Sequence, residues 1–311
     1  MPNIRFAAPD RLWPTYEPAL AKAFAEAGLQ VRIVGPEADP AQVDYLIYAP
    51  GGPVTDFTPF TRAKAVLSLW AGVERIIGNP TLTQPLCRMV DVGLREGMVE
   101  WVTGHVLRTH LGLDHWLACQ DGIWRNAETP PLARDRNVVV LGLGELGGAC
   151  AQMLARLNFR VTGWSRTSKT LPGIDCLSGP AGLQTALSRA EILVTVLPDT
   201  PDTTNLIGAA ALAAMPKGAV ILNPGRGPLI DDTALLAALD TGQIAQATLD
   251  VFRTEPLPAD HPYWAHPRVT VTPHIAAETR PASAARVIAE NIRRGEAAEP
   301  FLFRADRTRG Y

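Results

Sequence analysis

Between Asn137 and Leu157 the chain runs through Asn137-Val138-Val139-Val140-Leu141, then Gly142-Leu143-Gly144-Glu145-Leu146-Gly147, then an alanine-rich stretch from Gly148 to Leu157. A short, continuous apolar run suits a strand buried on both faces of a parallel sheet. The glycine pattern alone is weak, but between a strand and a helix it limits what the chain can build. Gly142 makes the tight turn, Gly144 lets a pyrophosphate approach the backbone, and Gly147 lets the helix pack closely on the sheet. The helix N-terminus adds free N–H groups and a positive dipole end. The segment predicts a dinucleotide-binding α/β unit, with Glu145 and Leu146 completing its phosphate loop.

The next strand, Arg160 to Trp164, runs into Ser165-Arg166-Thr167-Ser168-Lys169. A site for NAD usually places a carboxylate about 20 residues beyond the glycines, on the ribose hydroxyls. Here Ser165 and Arg166 occupy that place, with Thr167 and Lys169 close behind. An acidic side chain repels a 2′-phosphate, whereas these donors hydrogen-bond and neutralise it. The reading is NADPH before NADH; the alternative for Arg166 is a solvated surface charge.

At 311 residues the chain has room for about two domains. Strand-like runs at Ile4 to Ala7, Val31 to Val34, Asp44 to Tyr48, Ala65 to Leu69 and Leu86 to Val90 alternate with helical stretches at Tyr16 to Ala27 and Ala71 to Ile77. A long helix from Glu96 to about Leu117 makes the passage to a second rhythm of strands: Arg160 to Trp164, Ile192 to Leu197, Ala219 to Leu222, Ala247 to Val251 and Val269 to Thr272. A last helix, Pro281 to Arg294, comes too late to be followed by a strand and is expected to return to the first domain. The expected fold is α/β: two doubly wound parallel-sheet domains, Rossmann-like or flavodoxin-like, with a cleft between them. Residues 1–97 and 281–311 form a discontinuous substrate-binding domain, and 98–280 the dinucleotide-binding domain.

Composition excludes other classes. With 47% hydrophobic residues the chain can bury a core, and 29 basic against 31 acidic side chains leave no net field to draw it onto nucleic acid or an anionic membrane. The four cysteines lie 26 to 32 residues apart, so no pair has zinc-ligand spacing and no metal is expected. The N-terminus lacks a signal-peptide apolar segment and no apolar run approaches 18 residues, which reads as a cytoplasmic protein.

Three polar residues follow strand-like runs at the end where such sheets bind ligands: Arg226 after Val220 to Leu222, Glu255 in Asp250-Val251-Phe252-Arg253-Thr254-Glu255, and His274 after Val269. Singly, each suits a structural or solvated role. Beside a dinucleotide loop they supply what reduction of a 2-oxo acid needs. Arg226 can hold the carboxylate, His274 can protonate the carbonyl, and Glu255 can orient the imidazole and favour its charged form.

With these residues the sequence resembles the D-isomer-specific 2-hydroxyacid dehydrogenase family over almost its whole length. Further pattern elements are Leu197-Pro198-Asp199-Thr200-Pro201, Thr204 to Ile207, Asp231 to Gly242 and Leu249-Asp250-Val251-Phe252. Trp164-Ser165-Arg166-Thr167, Arg280-Pro281-Ala282 and the ending Asp306-Arg307-Thr308-Arg309-Gly310-Tyr311 point to its glyoxylate/hydroxypyruvate reductase branch. The resemblance implies NADPH-dependent reduction of small 2-oxo acids by a homodimer, with Arg226, Glu255 and His274 as the catalytic set. It implies Leu197, Pro198, Pro224 and Asp250 at the cofactor, Asp250 near the nicotinamide amide. It also implies Tyr48, Trp70, Ala71 and Gly72 at the substrate, whose carboxylate the backbone N–H groups of Leu69-Trp70-Ala71-Gly72-Val73 would grip. Two positions depart from the family pattern: Trp70 stands where a glycine is usual, and Gly225 where an alanine is usual. Trp70 is either a wall of the substrate site or a core residue of the first domain. Val102, Val106 and Leu113 are expected to supply a dimer interface. The competing functions are a dehydrogenase for a larger 2-hydroxy acid and a dinucleotide-sensing protein of the corepressor type.

Overall fold

A computed structural model describes residues 1–310. The chain opens with β1 (Asn3–Ala7), α1 (Trp13–Glu26), β2 (Arg32–Val34), β3 (Tyr45–Tyr48), β4 (Ala65–Ser68), α2 (Glu74–Ile77) and β5 (Leu86–Cys87). Next come α3 (Val92–His110), α4 (Leu113–Ala118), β6 (Asn137–Leu141), α5 (Glu145–Arg156), β7 (Arg160–Ser165), β8 (Asp175–Ser178), α6 (Gly179–Arg189) and β9 (Ile192–Thr195). The remainder is α7 (Ala209–Ala214), β10 (Ala219–Asn223), α8 (Asp232–Asp240), β11 (Ile244–Leu249), α9 (Pro262–Ala265), β12 (Val269–Val271) and α10 (Pro281–Glu296). They form two compact units, Met1–Leu94 with the chain from Thr279 onward, and Arg95–Glu278.

The first unit is built on a parallel sheet of order β2-β1-β3-β4-β5. Every residue of β3 and β4 is buried, as strands covered on both faces require. On one face, Leu20 and Phe24 of α1 pack with Ile288 and Ile292 of α10. Helix α10 starts on Pro281, whose fixed φ and missing N–H cost nothing at a first helical position.

In the second unit the order is β12-β11-β10-β9-β6-β7-β8, again all parallel. The chain leaves β6 through β7 and β8, then returns to the other side of β6 with β9. The switch point therefore lies between β6 and β9, where an open α/β sheet opens a crevice at its carboxyl edge. One face is covered by residues of α6, α7 and α8, and the other by Met98, Val102 and Val106 of α3 with Cys150, Ala151 and Leu154 of α5.

The helix expected over Glu96 to Leu117 is two helices, broken where Gly112 adopts the left-handed conformation at φ +64°. Val102 and Val106 are fully buried in the unit's own core, which removes them from any interface, while Leu113 stays 42% exposed. Strand β8, with its part-exposed pattern, is an edge strand that apolar runs do not reveal. Cys87 and Cys150 are buried, and burial pushes each thiol up to about 12, the behaviour of inert core cysteines. Among the described residues no helix is long and apolar enough to cross a membrane, and no cluster of His, Cys, Asp or Glu is arranged to hold a metal.

Candidate active site

The glycine loop joins β6 to α5 at the switch point. Gly142 sits at φ +100°, and a Cβ there would lie 2.4 Å from the Val196 carbonyl oxygen. At Gly147 a Cβ would come within 1.8 Å of the Gly142 carbonyl oxygen, so only glycine lets α5 start this close to the turn. Gly144 is different: nothing lies within 4 Å of its absent Cβ. Its open side, beside the N-terminus of a 12-residue helix opening on Glu145 and Leu146, is a cradle that a side chain would fill and a pyrophosphate fits.

Beyond β7, Ser165 is buried and donates its hydroxyl proton to the Thr167 carbonyl at 2.7 Å. Arg166 and Thr167 are exposed. The Lys169 ammonium donates to the Leu143 carbonyl at 2.7 Å, fastening the end of the second strand to the glycine loop. Leu197 and Pro198 follow β9, and the Pro198 carbonyl accepts from the Thr203 hydroxyl at 2.7 Å.

Arg226 leaves β10 through Asn223, Pro224 and Gly225, all buried, and its guanidinium donates to the Gly225 carbonyl at 2.7 Å. The next residue, Gly227, has the Phe252 carbonyl carbon only 2.0 Å from where a Cβ would stand, which brings the Arg226 turn against the segment after β11. The Phe252 N–H donates to Glu255 Oε1 at 2.9 Å, and Glu255 Oε2 meets His274 Nδ1 at 2.8 Å. Burial pushes the Glu255 carboxyl up. The His274 and Phe252 hydrogen bonds, helped by the charges of His274 and Arg226, outweigh it and hold the group below the ordinary carboxylate value.

His274 has φ +55°, a conformation that costs a non-glycine residue energy and needs support. Asp250 supplies it. The Asp250 carbonyl accepts the His274 N–H at 2.8 Å, and its carboxylate accepts from Thr272 Oγ1 at 2.6 Å, Ile275 N at 3.0 Å and Ala276 N at 2.9 Å. Fully buried, this carboxylate makes the turn that presents His274, with the imidazole half exposed. Arg226, Glu255 and His274 thus come together after the neighbouring strands β10, β11 and β12.

In the first unit, Tyr48 ends β3, is 8% exposed and stacks edge-on against Phe57 at 5.7 Å. After β4, the Leu69 N–H donates to the Tyr48 carbonyl at 2.8 Å and the Trp70 N–H to Ser68 Oγ at 3.1 Å. Those two donors are spent, so the anion-gripping backbone expected over residues 69–73 narrows to Ala71 onward. The Trp70 side chain packs partly against the first unit's core.

A family model for the NAD-binding domain of D-isomer-specific 2-hydroxyacid dehydrogenases matches residues 105–276. The D-isomer-specific 2-hydroxyacid dehydrogenase of Xanthobacter autotrophicus Py2, solved with NADPH and MES, is 41% identical with a TM-score of 0.93, over 100% of this chain and 99% of that one. The chain belongs to the D-isomer-specific 2-hydroxyacid dehydrogenase family. The NADPH-dependent glyoxylate/hydroxypyruvate reductase of Sinorhizobium meliloti, solved with NADP and sulfate, is 33% identical with a TM-score of 0.89 over the whole of both chains. A probable 2-hydroxyacid dehydrogenase of Rhizobium etli CFN 42, solved with NADP, HEPES and L(+)-tartaric acid, gives 31% and 0.89 over the same extent.

Membership makes the protein an NAD(P)-dependent oxidoreductase of 2-hydroxy acids, and the glycine cradle fits that cofactor. Sequence reasoning passed over Thr195, whose buried hydroxyl meets Asn223, and over the bracing part of Asp250. The signal available for Asp250 was a carboxylate following an apolar strand, which has no reason to be there unless it is paired.

Proposed function

We propose that the enzyme reduces small 2-oxo acids, glyoxylate and hydroxypyruvate among them, with NADPH, and that Arg226, Glu255 and His274 carry the reaction. The observation that supports this reading most directly is the 2.8 Å pairing of His274 Nδ1 with Glu255 in a segment packed against the Arg226 turn. With Nδ1 engaged, Nε2 is the ring nitrogen left to hold the transferable proton. Arg226 binds the substrate carboxylate and polarises the adjacent carbonyl. A reduced nicotinamide, when bound, supplies the hydride to the carbonyl carbon. His274 Nε2 delivers its proton to the carbonyl oxygen, and Glu255 stabilises the imidazolium before that transfer. Within the first unit, Ala71 and Gly72 carry the backbone N–H groups proposed for substrate binding, and Tyr48 and Trp70 are the aromatic groups beside them in sequence and sheet order. Ser165, Arg166 and Thr167 favour NADPH, and Asp250, both of whose carboxylate oxygens already accept from the His274 turn, would lie near the nicotinamide amide. Exposed apolar side chains over residues 111–132 support a homodimer.

The test is NADPH oxidation with a panel of 2-oxo acids. Turnover with glyoxylate and hydroxypyruvate well above that with aromatic or branched acids is expected. A preference for the large acids would reassign the substrate, and no turnover with any of them would remove the proposal.

A further inference from the structure

The end of β9 is squeezed between two glycines. A Cβ on Gly142 would lie 2.4 Å from the Val196 carbonyl oxygen, and one on Gly225 would lie 2.7 Å from the Thr195 carbonyl oxygen and 3.3 Å from the Leu197 nitrogen. The contacts under 3.0 Å are all with backbone atoms, so an added methyl would have to displace backbone. The segment Thr195–Leu197 therefore touches the phosphate loop on one side and the turn carrying Arg226 on the other.

On the Arg226 side the contact is fastened by a buried polar knot. Thr195 is fully buried, and its hydroxyl donates to Asn223 Oδ1 at 2.7 Å. The same oxygen accepts the Gly225 N–H at 3.1 Å, while Asn223 Nδ2 donates to the Arg226 carbonyl at 2.9 Å. The Asn223 backbone carbonyl accepts the Asp250 N–H at 3.0 Å, continuing the network to the residue that supports His274. Asn223 is 1% exposed, so none of these bonds has water as a ready substitute.

We propose that Thr195, Asn223 and Gly225 form a brace that sets the position of Arg226, with Thr195 as a positioning residue that touches neither substrate nor cofactor. The brace rests on the reading in which Arg226 binds the substrate carboxylate. The Thr195 hydroxyl fixes the orientation of the Asn223 amide, which then holds both ends of the Gly225–Arg226 turn. Gly225 lets that turn lie on the Thr195 carbonyl. A misplaced guanidinium binds the carboxylate less well, whereas the phosphate loop is held by contacts of its own.

The experiment compares Thr195→Val, Thr195→Ser, Gly225→Ala and Arg226→Lys, measuring KM and kcat for glyoxylate together with NADPH Kd by fluorescence titration. Thr195→Val keeps the side-chain shape and removes the donor. It should raise KM by about tenfold, the effect of one lost buried hydrogen bond, and leave NADPH Kd within about twofold. Thr195→Ser restores the donor and should return KM to within about threefold of the parent. Gly225→Ala, although alanine is the usual residue in the family, should raise both KM and NADPH Kd in this chain, because the added methyl meets the Thr195 carbonyl at 2.7 Å and the displaced segment runs directly into Val196 at the phosphate loop. The brace is overturned if Thr195→Val leaves KM unchanged, if Thr195→Ser loses as much as Thr195→Val, or if Gly225→Ala is silent. Arg226→Lys separates the two levels. If it raises KM strongly while Thr195→Val does nothing, the brace alone is wrong. If it also keeps the parent KM, the carboxylate-binding part of Arg226 fails first.

Discussion

His274 sits in an unfavourable backbone region because four hydrogen bonds accepted by Asp250 hold its turn there, and its ring is then aimed by a single carboxylate. Removing the imidazole with His274→Ala should lower kcat on the order of 100-fold or more, the usual contribution of a positioned acid, with NADPH Kd unchanged. Glu255→Gln keeps the shape and removes the charge paired with the imidazole, so kcat for glyoxylate reduction should fall while NADPH Kd stays unchanged. The same variant reports on stability. Because the Glu255 carboxyl lies below its ordinary value of 4.5, its pair adds stability above that pH and loses it as pH falls through the depressed folded-state value. The melting temperatures of parent and Glu255→Gln should therefore differ near neutrality and converge in acid; a gap that stays constant with pH would contradict the pairing. At the cofactor end, Lys169 is tied to the Leu143 carbonyl. Lys169→Ala should weaken NADPH and NADH alike by loosening the glycine loop, whereas Arg166→Ala should weaken NADPH selectively, by about tenfold or more for a charge-assisted phosphate contact. Equal losses of both cofactors in Arg166→Ala would refute the selectivity.

Elements became legible where one local rule dominated. Helix α8 is capped by Asp231, whose carboxylate accepts the Ala234 N–H at 3.0 Å, and Asp231→Ala should cost about 1 kcal/mol, seen as a melting-point drop of roughly 2 °C for a chain of this size. Strand β6 was readable over Asn137–Leu141 because a strand buried on both faces is apolar throughout, and the glycines after it fixed the next turn. The break between α3 and α4 was hidden because apolar spacing continues through Leu111 and Leu113 while only the conformation of Gly112 interrupts the helix. Strand β8 was hidden for the opposite reason: at the sheet edge it has no apolar run to show. In the site, Arg226, Glu255 and His274 could be picked out as polar residues following strands. Thr195 and Asn223 could not, since a residue inside an apolar run and one before a proline give no hint that a hydroxyl and an amide meet across two strands.

At the scale of the whole molecule, the 6.3 isoelectric point and net charge of −2 provide little self-repulsion between copies, so association depends on the apolar surface the chain displays. That surface is concentrated in one stretch. Leu111, Leu113, Leu117, Ile123, Trp124 and Leu132 are between 39% and 88% exposed, in the turn between α3 and α4, in α4 and in the segment after it. A run of large apolar side chains left in water is what a permanent interface buries, with a Trp as the usual energetic centre. The folded core does not depend on Leu117 and Trp124, at 74% and 88% exposed, so their replacement should leave the unit intact. Leu117→Asp combined with Trp124→Ala is therefore expected to shift the protein from dimer to monomer by light scattering at micromolar concentration, with its melting transition still cooperative. A parent that is already monomeric at that concentration would refute the homodimer, and a double variant that stays dimeric would move the interface away from residues 111–132.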